Sequence, residues 1–295
     1  MALTVPCLTT RVITVDEYID YVRREVDVRD IESVAASASM LSALANDPEL
    51  VVRELNKQVK KEFKPGLVGS AQVILIGLGP DFYVRANIWP SRADIAAGRI
   101  YQDQFSYDVA HDHNYNFMTV GYLGPGYFTD IYEYDREKLE GRSGEPVEFR
   151  FLERTLFAGG CAMLYRACKD AHIQYPPEDL SITLNLMINE PDVRARDQYF
   201  FDMETRTISD FPAAQDGSRR TAIVSMAGLA GNDETRQLLT DLSAQHSCRR
   251  TRLTAFEALA RLMPESEASI WERACDDPER LVSKTARERL KALTG

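Results

Sequence analysis

The middle of the chain, from about Gln72 to Phe211, alternates short β-prone runs with turns, and this pattern constrains the fold more than any other feature. Glycine and proline turn signals, such as Gly79-Pro80 and Gly124-Pro125-Gly126, separate the runs. Evenly spaced short strands of this kind predict an antiparallel barrel or sandwich. Eight strands are predicted: Gln72–Leu78, Phe82–Trp89, Tyr107–Tyr122, Phe128–Tyr134, Val147–Glu153, Ala162–Arg166, Ser181–Ile188 and Gln198–Thr205.

The segment before this region has the periodicity of helices. Thr14 and Glu17 have the spacing of a capping box, which predicts that a helix begins there. A second helix is predicted over Ile31–Leu44, and a third begins after Asp47-Pro48, because proline suits the first turn of a helix. The change to β-prone sequence comes at Lys64-Pro65-Gly66. We therefore expect residues 1–66 to form a helical segment packed on a β-barrel that spans 67–211.

The pattern becomes helical again after a polar joint at Pro212–Ser218 and stays so to the end. The segment Arg219–Ala230 recurs as Arg249–Ala260, and Ser283–Leu293 is a partial third copy. Repeated helices of this size resemble HEAT-type α-solenoids. A plain helical cap packed on the barrel remains the alternative for residues 218–295.

Charge and composition exclude several classes of protein. The net charge is −10 and the sequence pI is about 5.1, so broad binding to nucleic acid is not expected. No apolar run is long enough to cross a bilayer, and the N-terminus lacks the pattern of a signal peptide. The five cysteines form no CxxC pair, which favours reduced thiols. We therefore expect a cytoplasmic protein without a membrane partner.

The histidines are few and unevenly placed. The chain contains four, and two of them form His111-Asp112-His113 within a predicted strand. Side chains two residues apart on a strand point to the same face, so both imidazoles can reach one ion. His172 follows a later predicted strand, whereas His246 lies in the helical tail and is interpreted as a surface or turn residue. An exposed or packed polar pair is the alternative for His111 and His113.

These segments resemble the cupin superfamily, in which an HxH pair on one strand and a later histidine bind a metal. Leu156–Gly160 resembles the cupin turn, Cys161–Tyr165 the strand after it, and Leu180–Met187 the closing strand. The resemblance covers about half of the chain and implies a mixed α and β protein with a cupin-type antiparallel β-barrel, or double-stranded β-helix. It also implies that His111, His113 and His172 are metal ligands.

One departure from the cupin pattern concerns the glutamate ligand that usually follows the HxH pair. Here Asn114–Thr119 contains no acid, so the site is more similar to the three-histidine cupins, of which thiol dioxygenases are an example. Glu133 is the candidate for a fourth ligand or an acid/base, with both roles open. Alternation along its strand places Thr129, Ile131 and Glu133 on one face.

Several side chains are candidates for the lining of the site. Alternation from the histidine pair predicts that Tyr115, Phe117 and Thr119 point inward. Arg85 could bind a carboxylate and Trp89 a flat ring, while Gln174 could share the face of His172. The alternative is that these residues are there for packing, because the interior of a barrel is filled with such side chains. Glu133, Tyr115 and Arg85 are the candidate catalytic residues.

Three neutral imidazoles leave a divalent ion with its full charge and open positions. The resemblance favours ferrous iron, Fe(2+), although zinc, nickel, manganese and copper also accept nitrogen ligands. The leading hypothesis is an iron-dependent, 2-oxoglutarate-independent oxygenase or oxidase that uses O2 on a small polar metabolite, such as an amino-acid derivative. The alternatives are a redox-neutral isomerase, lyase or hydrolase, and a non-catalytic metal- or ligand-binding module that contacts a protein partner. A homodimer is common among such barrels.

Overall fold

The computed structural model describes residues 3–60, 72–213 and 215–294. The chain divides into two compact units: Met1–Tyr134 with Glu148–Glu190, and Asp135–Val147 with Pro191–Gly295. The predicted boundary at Lys64–Gly66 lies outside the described residues. The elements of the first unit are β1 (Leu3–Pro6), α1 (Val15–Glu25), α2 (Ile31–Ala36), α3 (Ala38–Ala45), α4 (Leu50–Lys60), β2 (Val73–Leu78), β3 (Phe82–Trp89), α5 (Arg92–Ala96), β4 (Ala110–Asp112), β5 (Phe117–Leu123), β6 (Tyr127–Glu133), β7 (Arg150–Phe157), β8 (Cys161–Tyr165), β9 (Asp170–Gln174) and β10 (Ser181–Ile188).

Side-chain hydrogen bonds occur at the ends of the N-terminal helices. Thr14 caps α1: its hydroxyl accepts from the Glu17 amide, and the Glu17 carboxylate accepts from the Thr14 amide at 2.7 Å. This capping box satisfies two amides that the first turn of a helix leaves unpaired. The predicted helix Ile31–Leu44 is two helices, because the chain breaks at Ser37, whose hydroxyl donates to the Val34 carbonyl at 2.7 Å.

The first sheet has the antiparallel strand order β1-β8-β5-β10-β3-β2, and its two faces differ in character. One face is apolar and packs against the N-terminal helices. Its buried residues include Val84, Ala86, Met118, Val120, Leu164, Leu184 and Leu186, which form one core with Tyr18, Val22, Leu41 and Leu44 of the helices. The opposite face mixes aromatic and polar side chains and lines the space between the sheets. Alternation along each strand produces this separation.

The second sheet of this unit has the order β4-β9-β6-β7 and is also antiparallel. It faces the first sheet: the rings of Trp89 on β3 and Tyr127 on β6 have centroids 4.5 Å apart. An aromatic core fills part of the interior and contains Trp89, Phe105, Tyr107, Phe117, Tyr127, Ile131, Phe157, Met163, Tyr165 and Met187. The predicted class, mixed α and β with antiparallel sheets, is confirmed. The double-stranded β-helix stays a prediction.

The turn between β5 and β6 takes the chain from one sheet to the other. Gly124 and Gly126 both have a positive φ, of 83° and 86°, which favours glycine. A Cβ atom on Gly126 would also lie 1.9 Å from the carbonyl oxygen of Phe157. The turn predicted at Gly124-Pro125-Gly126 therefore requires glycine for both conformation and space.

The second unit is mainly helical. Its elements are β11 (Phe200–Asp202), β12 (Thr207–Asp210), α6 (Asp216–Ala230), α7 (Asp233–Gln245), α8 (Arg249–Leu262), α9 (Glu267–Ala274) and α10 (Arg280–Thr294). The repeated sequence segments fall in α6 and α8, which pack closely where Gly228 meets Ala258. Arg252, which is buried, and Asp277, which is partly buried, form a bidentate ion pair with distances of 2.7 and 2.8 Å. The helical assignment is confirmed, while the likeness to HEAT repeats stays a prediction.

Two predictions, one for a strand and one for the position of His172, differ from the structure in ways that affect the site. The single strand predicted over Tyr107–Tyr122 is interrupted after Asp112 and resumes at Phe117. His172, predicted to lie in a turn after a strand, is instead in the middle of β9. β1, β9 and β12 were not predicted, because strands of four or five residues give weak periodicity.

Two further observations concern chemistry outside the core. All five cysteines are free thiols, as their spacing predicts. Among the described residues, no helix combines the length and apolar character needed to span a bilayer.

Truncation of Leu184 should test the core between the helices and the first sheet. This side chain is fully buried on the central strand β10, so Leu184→Ala should lower the free energy of unfolding by about 2–5 kcal/mol. Leu78→Ala is the matched control, since Leu78 is 66% exposed and should change stability by less than about 0.5 kcal/mol. Urea denaturation measures both, and similar losses for the two variants would contradict this account of the core.

Candidate metal centre

Strand pairing in the second sheet brings two of the predicted ligands together. β4 and β9 are antiparallel neighbours, and His111 is the direct partner of His172 in their register. Directly paired residues project from the same face of a sheet, so the two imidazoles lie side by side. His113 follows β4 immediately and completes the group from the same edge.

The three imidazoles converge through their Nε2 atoms. The Nε2 atom of His172 lies 3.1 Å from that of His111 and 3.1 Å from that of His113. His111 and His172 are 4% and 0% exposed, whereas His113 is partly buried. The Nδ1–H of His111 donates to the Val109 carbonyl at 2.9 Å, which leaves its Nε2 lone pair directed at the other two rings.

The electrostatic environment keeps the three imidazoles neutral. Burial lowers the pKa of His111, and burial followed by the proximity of His111 lowers the pKa of His172 well below its usual value. The pKa of His113 is also well below its usual value, first because of burial and then because of His111, His172 and Arg85. Neutral imidazole is the form that binds metals, so the group is ready for a cation at neutral pH.

The donor set fits a single metal ion. Two nitrogen atoms bound to one ion at about 2.0–2.1 Å are about 3.0 Å apart at a right angle and about 3.4 Å apart at a tetrahedral angle. The separations of 3.1 Å fall within this range. Inward-facing nitrogen lone pairs repel one another unless a proton or cation lies between them. Within the described residues, His111, His113 and His172 are the group that meets the spacing of a metal site.

Aromatic rings surround one side of the histidines. The ring centroids of Phe117 and Tyr165 are 4.8 Å from His113 and 4.6 Å from His172, respectively, and the two rings stack on each other at 4.6 Å. Tyr115 has its ring 5.0 Å from His113. Phe117 and Tyr115 therefore lie near the site, as predicted, although the chain is not a continuous strand between them and His113. Tyr165 was not predicted, because only the pairing of β5 with β8 brings it there.

Arg85 and Tyr115 are linked. Arg85 lies close enough to both Tyr115 and His113 to lower the pKa of each. Burial raises the pKa of Tyr115 to about 12, against the opposing effect of Arg85, so the phenol keeps its proton at neutral pH. Both residues are thus placed beside the histidines, while their catalytic roles stay predictions.

Glu133 is bound by two arginines. Its carboxylate oxygens lie 2.7 Å from Arg150 and 2.7 Å from Arg166, and Arg166 also contacts Asp170. These hydrogen bonds, from Arg150 and then Arg166, lower the pKa of Glu133 to about 2. Glu133 is paired in register with Asp170. This pair lies two residues along the strands from the pair of Ile131 and His172. The predicted roles as ligand or acid/base stay predictions, but an ionised carboxylate held this way is a poor proton donor.

Trp89 and Gln174 have distinct positions. Trp89 is buried in the aromatic core, and its indole N–H donates to Thr183 at 3.1 Å. Gln174 shares a face with His172, as predicted, and is paired in register with Thr129. His246 follows α7 and accepts from the Cys248 amide at 3.0 Å, in the other compact unit.

Comparisons with known proteins give fold-level likenesses only. No protein-family description and no curated protein matches the chain. The chain is similar to hydroquinone 1,2-dioxygenase PnpCD in complex with Cd2+ and 4-hydroxybenzonitrile, at 10% identity and a TM-score of 0.26, over 45% of this chain and 71% of that one. The chain is also similar to a cupin domain from Bordetella pertussis, at 9% identity and a TM-score of 0.22, over 40% of this chain and 92% of that one. A third similar structure is salicylate 1,2-dioxygenase from Pseudaminobacter salicylatoxidans, at 10% identity and a TM-score of 0.27, over 48% of this chain and 33% of that one. With such low TM-scores, the function must be inferred from the site itself.

The ion pairs of Glu133 should make stability depend on pH. The pKa of Glu133 is depressed in the folded state, so its contribution is present above its ordinary pKa of 4.5 and is lost as the pH falls toward about 2. Glu133→Gln should lower the free energy of unfolding by about 1.5–3 kcal/mol at pH 7, and the difference from wild type should shrink between pH 4.5 and 2. Urea denaturation of both proteins at several pH values between 7 and 2 measures the difference in the free energy of unfolding. A difference that stays constant with pH would show that the ion pairs are not its cause.

Proposed function

We propose that the chain is a metal-dependent oxygenase or oxidase of the three-histidine cupin type, which holds ferrous iron through His111, His113 and His172. The observation that supports the proposal most directly is the convergence of three neutral imidazoles, with two Nε2 separations of 3.1 Å. The proposed substrate is a small polar molecule, which reacts with O2 without 2-oxoglutarate.

The choice of an oxygenase rests on the ligand set. Three neutral ligands leave a divalent ion with its charge uncompensated and with open coordination positions. When bound, ferrous iron supplies one-electron chemistry with O2 at those positions. The preference for iron comes from the resemblance of the sequence to three-histidine cupins, because nitrogen ligands alone do not exclude other metals.

The surrounding residues would position the substrate and exclude water. The stacked rings of Phe117 and Tyr165 form an apolar wall against His113 and His172. Such a wall limits the access of water to the reacting atoms. The Tyr115 phenol is protonated at neutral pH, and burial raises its pKa further, to about 12, so its O–H can donate to an oxygen of the substrate.

A redox-neutral zinc enzyme is the second candidate. The observation that favours it is the same donor set, since three histidines with an open fourth position are a common catalytic zinc site in which the metal activates water. Such an enzyme would work without O2, whereas an oxygenase would not.

Metal content tests the proposal. The purified wild type, reconstituted anaerobically with ferrous iron, should hold close to one iron per chain, and His111→Ala and His172→Ala should each lose most of it. Each substitution removes one of the three imidazoles proposed to hold the metal. Plasma emission spectrometry measures the metal, and His246→Ala is the matched control because His246 lies outside the group.

Each outcome separates the candidates. Iron that both variants lose, with oxygen uptake on a small polar substrate, supports the oxygenase. Zinc in the same site, with turnover that persists without O2, favours the redox-neutral enzyme. If the wild type takes up no metal, or if the histidine variants bind it as well as wild type does, the proposal is wrong.

A further inference from the structure

Helix α6 of the second unit has two apolar faces, and only one of them is buried. Val224 and Gly228 are buried, and Gly228 lies against Ala258 of α8. The opposite face presents exposed apolar residues at helical spacing: Ala222, Ile223, Met226, Leu229 and Ala230. We call these five residues the apolar stripe.

The large side chains of the apolar stripe are open to solvent over most of their surface. Ile223, Met226 and Leu229 are 63%, 59% and 71% exposed. Single exposed apolar residues are common on proteins, but a contiguous row along one helix face is typical of a surface that another molecule covers. A helix that is apolar on opposite faces is normally buried on both. The stripe therefore indicates an interaction surface.

The order of the residues around Met226 indicates which molecule covers the stripe. Ile223 and Leu229 lie three residues before and three residues after Met226. Ala222 and Ala230 lie four residues before and four residues after it. Two such helices packed antiparallel about a two-fold axis at Met226 would place Ile223 of each copy against Leu229 of the other. Large side chains would then meet large ones and alanines would meet alanines, so the stripe is complementary to itself.

The charges at the two ends of α6 favour the same arrangement. Arg219 is exposed and lies in line with the stripe, seven residues before Met226. Asp233 lies seven residues after Met226, at the start of α7, and its side chain is 93% exposed. Antiparallel packing brings Arg219 of one copy near Asp233 of the other, whereas parallel packing would bring like charges together. Charge complementarity therefore favours a second copy in the antiparallel orientation.

We propose that the chain forms a symmetric homodimer in which the apolar stripes of two copies pack antiparallel, with the two-fold axis at Met226. The contact is isologous, because the same surface of each copy takes part in it. It covers Ile223 and Leu229 of both copies and brings Arg219 of each near Asp233 of the other. The surface belongs to the second unit, so the proposal does not depend on the metal centre.

The mass of the full chain in solution tests whether the stripe joins two copies. The wild type at micromolar concentration should sediment as a dimer in analytical ultracentrifugation. Met226→Glu and Met226→Lys should each raise the dimer dissociation constant by about 100-fold or more, because two like charges would face each other at the axis. Val52→Glu is the matched control, since Val52 is 51% exposed on α4 of the first unit, and it should leave the dissociation constant unchanged.

An equimolar mixture of the two Met226 variants tests the symmetry of the contact. At a two-fold axis the introduced carboxylate of one copy meets the introduced ammonium of the other, so the mixture should form dimers although neither variant does so alone. If Met226 contacted a different surface of the second copy, mixing would bring no opposite charges together. Arg219→Glu should weaken association by about 3- to 10-fold, and the further change Asp233→Arg should restore part of that loss.

The outcomes separate a second copy from other occupants of the stripe. A dimeric wild type, monomeric Met226 variants and a dimeric mixture support the proposal. A wild type that stays monomeric would leave the stripe to a different partner and overturn the proposal. A mixture that stays monomeric, or Met226 variants that dimerise as well as wild type does, would also overturn it.

Two further measurements exclude an effect through folding or through the metal. Circular dichroism spectra of all the variants should match that of wild type, because the substituted side chains are exposed. The iron content after reconstitution should also match, because none of these residues belongs to the ligand group. A dimer without bound iron would contradict only the proposed function, and a monomer with bound iron would contradict only the homodimer.

Discussion

The pairing of β4 with β9 is the constraint on which the rest of the candidate site depends. It places His111 opposite His172. A shift of one residue in this register would turn one imidazole to the other face of the sheet and separate the ligands. The register is supported on the other side of β9, where Ile131 on β6 is paired with His172 and is fully buried. His111, on a strand of three residues, thus keeps its position because the neighbouring strands fix the position of its partner His172.

The two faces of the first sheet have different roles: one contributes to the stability of the fold, and the other lines the candidate site. Its apolar face packs on the N-terminal helices and forms the larger core of the unit, so the opposite face can hold polar groups whose burial is unfavourable. Unpaired buried atoms of Thr119, Asn185 and Asn87 lie on that opposite face. Local violations of good packing are expected at functional sites, where stability gained elsewhere offsets them. The helices are therefore part of the reason that the inner face can remain polar.

Much of this arrangement was predictable from sequence, and the limits are physical. The strands Phe82–Trp89 and Ser181–Ile188 have the predicted bounds, because long runs give a clear pattern. The grouping of His111, His113 and His172 followed from the HxH spacing and the cupin resemblance. β9 was missed although Asp170–Gln174 alternates polar and apolar residues, since five residues are too few to distinguish from a turn. The grouping of Arg85, Asn185 and Thr119 and the arginines around Glu133 depend on strand register, which a single sequence does not specify.

The charge of the proposed centre bears on the kind of substrate it would favour. The chain as a whole has a net charge of −10, yet the ligand group contains no carboxylate and Arg85 lacks an ion-pair partner among the described residues. Glu133, which the sequence offered as a possible fourth ligand, forms ion pairs with Arg150 and Arg166. A divalent ion bound by three neutral imidazoles would keep its charge where the dielectric constant is low, with the buried Asp112 carboxylate next to the histidines in the chain. An anionic substrate would offset part of that charge on binding, so the metal and the substrate would each favour the presence of the other.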